Sequence, residues 1–151
     1  MLKLLIPPPI YALIIGALMW FLSQYAPLSH WIPAPWNKIG LLLIAIAFSS
    51  ELWSALLFFR SHTTINPMKP ENSKTIVTTG TYQFTRNPMY MGLLTVLSGY
   101  AIWLGAITPF LLLPLFVLLI TTQQIIPEEE MLEKNFGQEY LDYKSQVRRW
   151  L

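Results

Sequence analysis

Long apolar stretches, separated by short polar and proline-bearing breaks, dominate this chain. Four runs stand out, at residues 10–26, 39–59, 90–104 and 106–126. A hydrocarbon core of about 30 Å needs roughly 20 apolar residues in helical form. The second and fourth runs meet that length, and the first and third approach it. The pattern predicts an all-α, multi-pass transmembrane bundle of about four spans, in one domain over residues 1–151. Only Gly105 separates the last two runs, so a tight hairpin or re-entrant pair is expected. Pro109 and Pro114 are placed to kink the fourth run. Pro7, Pro8, Pro9 and Pro27 flank the first run. It reads as a retained helix, because no small-residue cleavage site precedes Pro27 and only Lys3 charges its leading end.

Beyond the fourth run the period changes. Pro127 suits a first helical turn, and Glu128, Glu129 and Glu130 follow where a helix dipole favours acids. Leu132, Phe136, Tyr140, Tyr143 and Val147 recur at three- and four-residue spacing, with Arg148 and Arg149 at the far end. A separate amphipathic helix over residues 128–147 is expected, packed on the mouth of the bundle or lying in the headgroups. Gly137 within it predicts close packing or a break.

Composition supports the lipid reading. Charged residues make up 12% of the chain, against about 25% in an average soluble domain, so its surface cannot face mostly water. A net charge of +2 is too small to imply nucleic acid. Cysteine is absent, which excludes disulfides, thiolate metal sites and a thiol nucleophile. With only His30 and His62, a histidine metal centre or a serine triad has few candidates, and no metal is expected. The distribution of charge orients the bundle. With Lys3 inside, an even number of crossings also puts Arg60, Lys69, Lys74 and Arg86 inside, and Lys144, Arg148 and Arg149 with them. The opposite side carries His30 and Lys38.

One segment is an unusual way to open an apolar helix: Thr85-Arg86-Asn87-Pro88-Met89-Tyr90-Met91-Gly92. A helix start accounts for Asn87 as cap and Pro88 as first residue, and Tyr90 fits an interfacial anchor. The threading, however, brings this segment to the same depth as Gln123, Gln124, Glu128 and Glu129. Two polar clusters, distant in sequence, then converge on one pocket. Residues 63–67 and 75–82, the latter turning at Gly80, form a long connection of the kind that often carries function. Glu51 lies near the middle of the second run, as a functional carboxylate or a paired, bundle-facing one.

Taken in order, Thr78-Thr79-Gly80-Thr81-Tyr82, the Arg86–Gly92 segment, Glu128-Glu129 and Phe136-Gly137-Gln138-Glu139-Tyr140-Leu141-Asp142-Tyr143 resemble the isoprenylcysteine carboxyl methyltransferase and phospholipid methyltransferase superfamily. The resemblance covers about the last 90 residues, from Thr63 onward. It implies an integral membrane enzyme that moves a methyl group from S-adenosylmethionine to a lipophilic acceptor. That acceptor is a prenylcysteine-like carboxylate, a lipid headgroup or similar. It also implies a cofactor pocket on the cytosolic side, in a prokaryotic inner membrane. Carried over by motif, the cofactor would meet Thr75, Ile76, Val77, Tyr82, Asn87, Pro88, Met89, Tyr90 and Glu128, with Glu129 as helper. Arg86, Tyr90 and Glu128 would serve catalysis, Arg86 by orienting an anionic group, and Gln124 and Glu51 would face substrate. Two positions depart from the family pattern. Asn87 replaces a histidine and cannot act as a base. Gln124 replaces an arginine and grips a carboxylate less firmly. No GxGxxG cradle is present, so a soluble nucleotide-binding domain is excluded. The rival readings are a small transporter or assembly subunit, and another lipid enzyme acting on phosphorylated headgroups.

Overall fold

The structure, a computed structural model, describes residues 6–60, 76 and 78–151, leaving aside the side chains at positions 50, 51, 54, 55 and 57–60. Among the described residues it is all-helical, without strands. The principal helices are α1 (Pro8–Tyr25), α2 (Ile39–Arg60), α3 (Pro88–Leu104), α4 (Leu112–Ile120), α5 (Ile126–Phe136) and α6 (Gln138–Gln146). The first three match the expected runs within two residues. Pro8 and Pro88 each occupy a helix start, where a missing N–H costs nothing.

A core of Ile15, Met19, Tyr90, Leu97, Phe116, Ile120 and Ile125 joins α1, α3 and α4 with the turn beyond α4. α2 packs on α3 through two glycines. A Cβ on Gly40 would lie 2.1 Å from the Gly99 carbonyl oxygen, and one on Gly99 would lie 2.6 Å from that of Gly40. Such backbone contact needs small residues and is the usual packing device of helices in lipid. The outward faces stay apolar: Leu13, Leu42, Phe48 and Leu52 are each more than 60% exposed. In water a contiguous surface of that kind promotes association, whereas lipid solvates it. Two helices, Pro8–Tyr25 and the continuous Thr108–Phe136, are long and apolar enough to cross a membrane.

The hairpin after α3 forms as expected. Gly105 ends α3 with φ +73°, and its carbonyl accepts the Trp31 and Ile32 N–H groups at 3.0 and 3.3 Å. Ile107 N–H donates to the Ser29 carbonyl at 3.0 Å. Pro109 opens a 3₁₀ turn, Thr108–Leu111, and so starts the next helix instead of kinking it.

The expected separate helix over 128–147 is not what forms. The fourth run continues through Pro127 by way of a π-helical turn, Thr121–Ile125, in which Ile126 N–H donates to the Thr121 carbonyl. Pro127 has no N–H and would crowd the carbonyl four residues back; the wider turn accommodates both defects. Glu128, Glu129 and Glu130 therefore lie within a continuous helix, and the dipole at a free N-terminus does not account for them. The break comes at Gly137, with φ +53° and ψ −124°, a conformation open mainly to glycine. Nothing lies within 4 Å of a Cβ there, so Gly137 serves the break and not close packing. The predicted apolar stripe still turns inward, with Tyr140 buried and Leu132, Phe136 and Tyr143 half-buried.

Gly99→Ala should separate α2 from α3 and destabilise the protein by about 2–3 kcal/mol, the usual cost of overpacking. Thermal unfolding in detergent checks this, with Gly16→Ala, whose Cβ would meet only Leu97 at 3.9 Å, as a near-neutral control.

Candidate active site

Asn87 precedes Pro88 at the start of α3, but its side chain does not cap the helix. Its Nδ2 donates instead to the Arg149 carbonyl at 2.9 Å. The Thr85 hydroxyl donates to that same carbonyl at 3.1 Å and accepts the Asn87 N–H at 3.2 Å. One residue earlier in the tail, the Arg148 carbonyl accepts the Arg86 N–H at 2.9 Å. The turn before α3 is thus sewn to the chain just after α6.

Charge reinforces the seam. Glu129, 5% exposed, receives Arg86 Nη2 at 2.8 Å. Arg149 meets it with a fork, Nε to Oε1 at 2.9 Å and Nη2 to Oε2 at 2.8 Å. Lys144, which also pairs with Glu133, stands 3.8 Å from Oε2. Arg86 Nη1 donates to the Lys144 and Val147 carbonyls at 2.9 and 3.1 Å, at the end of α6 where the helix dipole favours a cation. The Glu129 hydrogen bond and charge hold the Arg149 guanidinium in its protonated form more firmly than usual. Tyr143 donates to the Tyr82 carbonyl at 2.7 Å; burial raises its phenol to about 12, against the pull of Arg86, so it remains a neutral donor.

Glu128 points elsewhere. Its Oε1 accepts the Tyr90 hydroxyl at 2.5 Å, across from α5 to α3. One turn earlier, within the π segment, Gln124 is fully buried. Its Nε2 donates to the Ile6 carbonyl at 2.8 Å, and its Oε1 has no partner. The Trp150 indole donates to Thr121 Oγ1 at 3.2 Å, closing the tail over this turn.

The structure joins Tyr90 to Glu128, Arg86 to Glu129 and Asn87 to the backbone of Arg149, with Tyr82 tied to Tyr143, while Gln124 turns to Ile6, so their work divides differently from expectation. Both oxygens of Glu129 are taken by cations of the protein, so it acts as a clamp and not as a cofactor helper. The Arg86 guanidinium gives Nη1 to two carbonyls and Nη2 to Glu129, while its buried Nε has no partner. Pro88 is buried, and Met89 and Ile76 are half-buried. Thr75, Val77, residues 63–67 and the Glu51 side chain lie outside the described residues. Sequence reasoning missed Thr85, Thr121, Arg149 and Trp150. Only the aromatic and basic character of the tail hinted at them, since a carbonyl partner leaves no mark on residue type.

Comparison with known proteins bears on this site. The family model described as phospholipid methyltransferase matches residues 36–139, more than half of the chain, and the chain belongs to that family. Family and apolar helices together make it, in general terms, a membrane methyltransferase. The match begins before α2, earlier than Thr63, and ends before Tyr140. An uncharacterized protein of Haemophilus influenzae is 46% identical over 63 residues, which are 42% of this chain and the whole of that protein. No solved structure matches.

Glu129→Ala strands the buried Arg86 charge and should cost about 3–5 kcal/mol. Glu128→Gln keeps an acceptor oxygen for the Tyr90 hydroxyl and should cost about 1 kcal/mol or less. Denaturant unfolding in micelles compares the two, and equal losses would contradict the division between clamp and open site.

Proposed function

We propose that the protein transfers a methyl group from S-adenosylmethionine to a lipophilic acceptor, at a pocket on the cytoplasmic side of a four-span bundle. The observation that carries this reading is the hydrogen bond, in a chain of this family, from Tyr90 on α3 to Glu128 on the last long helix, with Asn87 just before α3 and Gln124 one turn before Glu128. The spans are α1, α2, α3 and the helix from Thr108 to about residue 126. Basic residues gather at one end, with Arg86, Lys144, Arg148 and Arg149. The other end exposes Tyr25, Trp31, Trp36 and Trp103, as an interfacial belt does.

The donor set fits the cofactor. Asn87 and Gln124 have each committed an amide N–H to a carbonyl, and Glu128 has committed Oε1 to Tyr90. What remains is acceptor oxygen on Asn87 and Gln124, beside a Glu128 carboxyl that burial pushes up to about 8 and that carries a proton at neutral pH. S-adenosylmethionine offers hydroxyl, amino and ammonium donors and a cationic sulfur. When bound, it supplies an electrophilic methyl group, and the protein need only position the partners and exclude water. Glu128 holds the Tyr90 ring and turns its other oxygen to the ligand. Asn87 adds a second acceptor, with Tyr82 and Met89 as apolar wall.

The same bookkeeping favours one acceptor class. A buried amide oxygen without a partner complements an N–H or O–H and repels a carboxylate. An amine-bearing lipid headgroup fits Gln124 better than a prenylcysteine carboxylate does, and its nitrogen must first give up a proton to expose the lone pair that takes the methyl group as the C–S bond breaks.

Calorimetry of the purified protein with S-adenosylmethionine should show binding, weakened at least tenfold by Glu128→Ala. Absence of binding by the unaltered protein would favour a transporter or assembly subunit. In vesicles containing both an amine-headgroup lipid and a prenylcysteine analogue, label from methyl-labelled cofactor should enter the amine lipid. Base-labile label on the prenylcysteine would overturn the choice of acceptor and leave methyl transfer standing.

A further inference from the structure

Four consecutive residues after α6, at positions 147–150, touch Thr85, Arg86, Asn87, Thr121 and Glu129, and all four lie beyond the residues matched by the family. Val147 and Arg148 offer carbonyls to Arg86. The Arg149 carbonyl receives both Thr85 and Asn87, while its side chain forks onto Glu129. Trp150 reaches Thr121 in the π turn that carries Gln124. These contacts converge on one consequence. An asparagine amide offers a donor on one edge and an acceptor on the other, and a half-turn about its last bond exchanges them. With one N–H of Nδ2 tied to the Arg149 carbonyl, Oδ1 is the edge turned away from the strap.

Resting on the methyltransferase reading above, we infer that residues 147–150 are a built wall of the cofactor site. Arg149 is its positioning residue: its guanidinium anchors the strap on Glu129, and its carbonyl sets which edge of Asn87 faces the cofactor. Without the anchor the carbonyl moves away, Asn87 is free to turn, and a donor competes for the place of an acceptor.

The test is a double-mutant cycle on S-adenosylmethionine affinity, measured by calorimetry. Arg149→Ala should weaken binding about tenfold in the unaltered chain and less than threefold in the Asn87→Ala background, because both changes remove the same oriented oxygen. A merely structural role gives equal factors in both backgrounds, and that result, or a change below twofold, overturns the inference. Trp150→Phe, which loosens the strap but spares Glu129, runs through the same cycle under the same criteria should Arg149→Ala fail to fold. A second readout needs no cofactor. The side-chain amide NMR signals of Asn87 should be distinct and slow to exchange in the unaltered protein, and should collapse in Arg149→Ala or Trp150→Phe. Unchanged signals overturn the strap's role even where cofactor binds. A chain that binds no cofactor but loses these signals overturns the methyltransferase reading alone.

Discussion

The carboxylate of Glu129 is the point on which this end of the molecule depends. It is buried, and a buried charge is tolerated only when it is paired and its lone pairs are filled. Arg86 and Arg149 do both. Through them one side chain of α5 holds the turn before α3 and the strap after α6. α6 is mainly polar outside its tyrosines, and within the strap Trp150 packs against the apolar core. Apart from that residue, charge and hydrogen bonding do at this end what side-chain packing does in the middle of the bundle.

Two neighbouring glutamates divide two tasks because consecutive residues on a helix diverge by about 100°. Glu129 turns toward the strap and is fully occupied. Glu128 turns toward α3, where Tyr90 takes one oxygen and leaves the other. The π turn preceding them matters for the same geometric reason. Its extra residue changes the phase of the helix, so Gln124 and Ile125 are both fully buried before the run reaches Glu128. Pro127, which on its own signals a helix start, is tolerated inside the helix because that turn has already widened.

In the middle of the bundle the constraint is reversed. The helices are apolar on all sides, so burial alone does not choose which faces meet. Backbone approach at Gly40 and Gly99 makes that choice between α2 and α3. The faces left over expose Leu, Phe and Trp to the surroundings, in keeping with a membrane methyltransferase.

The sequence by itself determined where α1, α2 and α3 lie, that the chain turns at Gly105, and that Tyr90 and Glu128 come together. Each follows from local signals: hydrophobic length, the conformational freedom of glycine, and the side on which basic residues gather. Only the tertiary structure decided that the last run passes through Pro127, that Glu129 clamps while Glu128 stays open, and that Asn87 binds a carbonyl 62 residues further along instead of capping its own helix. A polar side chain takes the partner that the fold brings within about 3 Å, and a backbone carbonyl can be supplied by any residue type. Residue identity at Asn87 or Arg149 therefore signals that a partner is needed, and the packing of distant segments selects it.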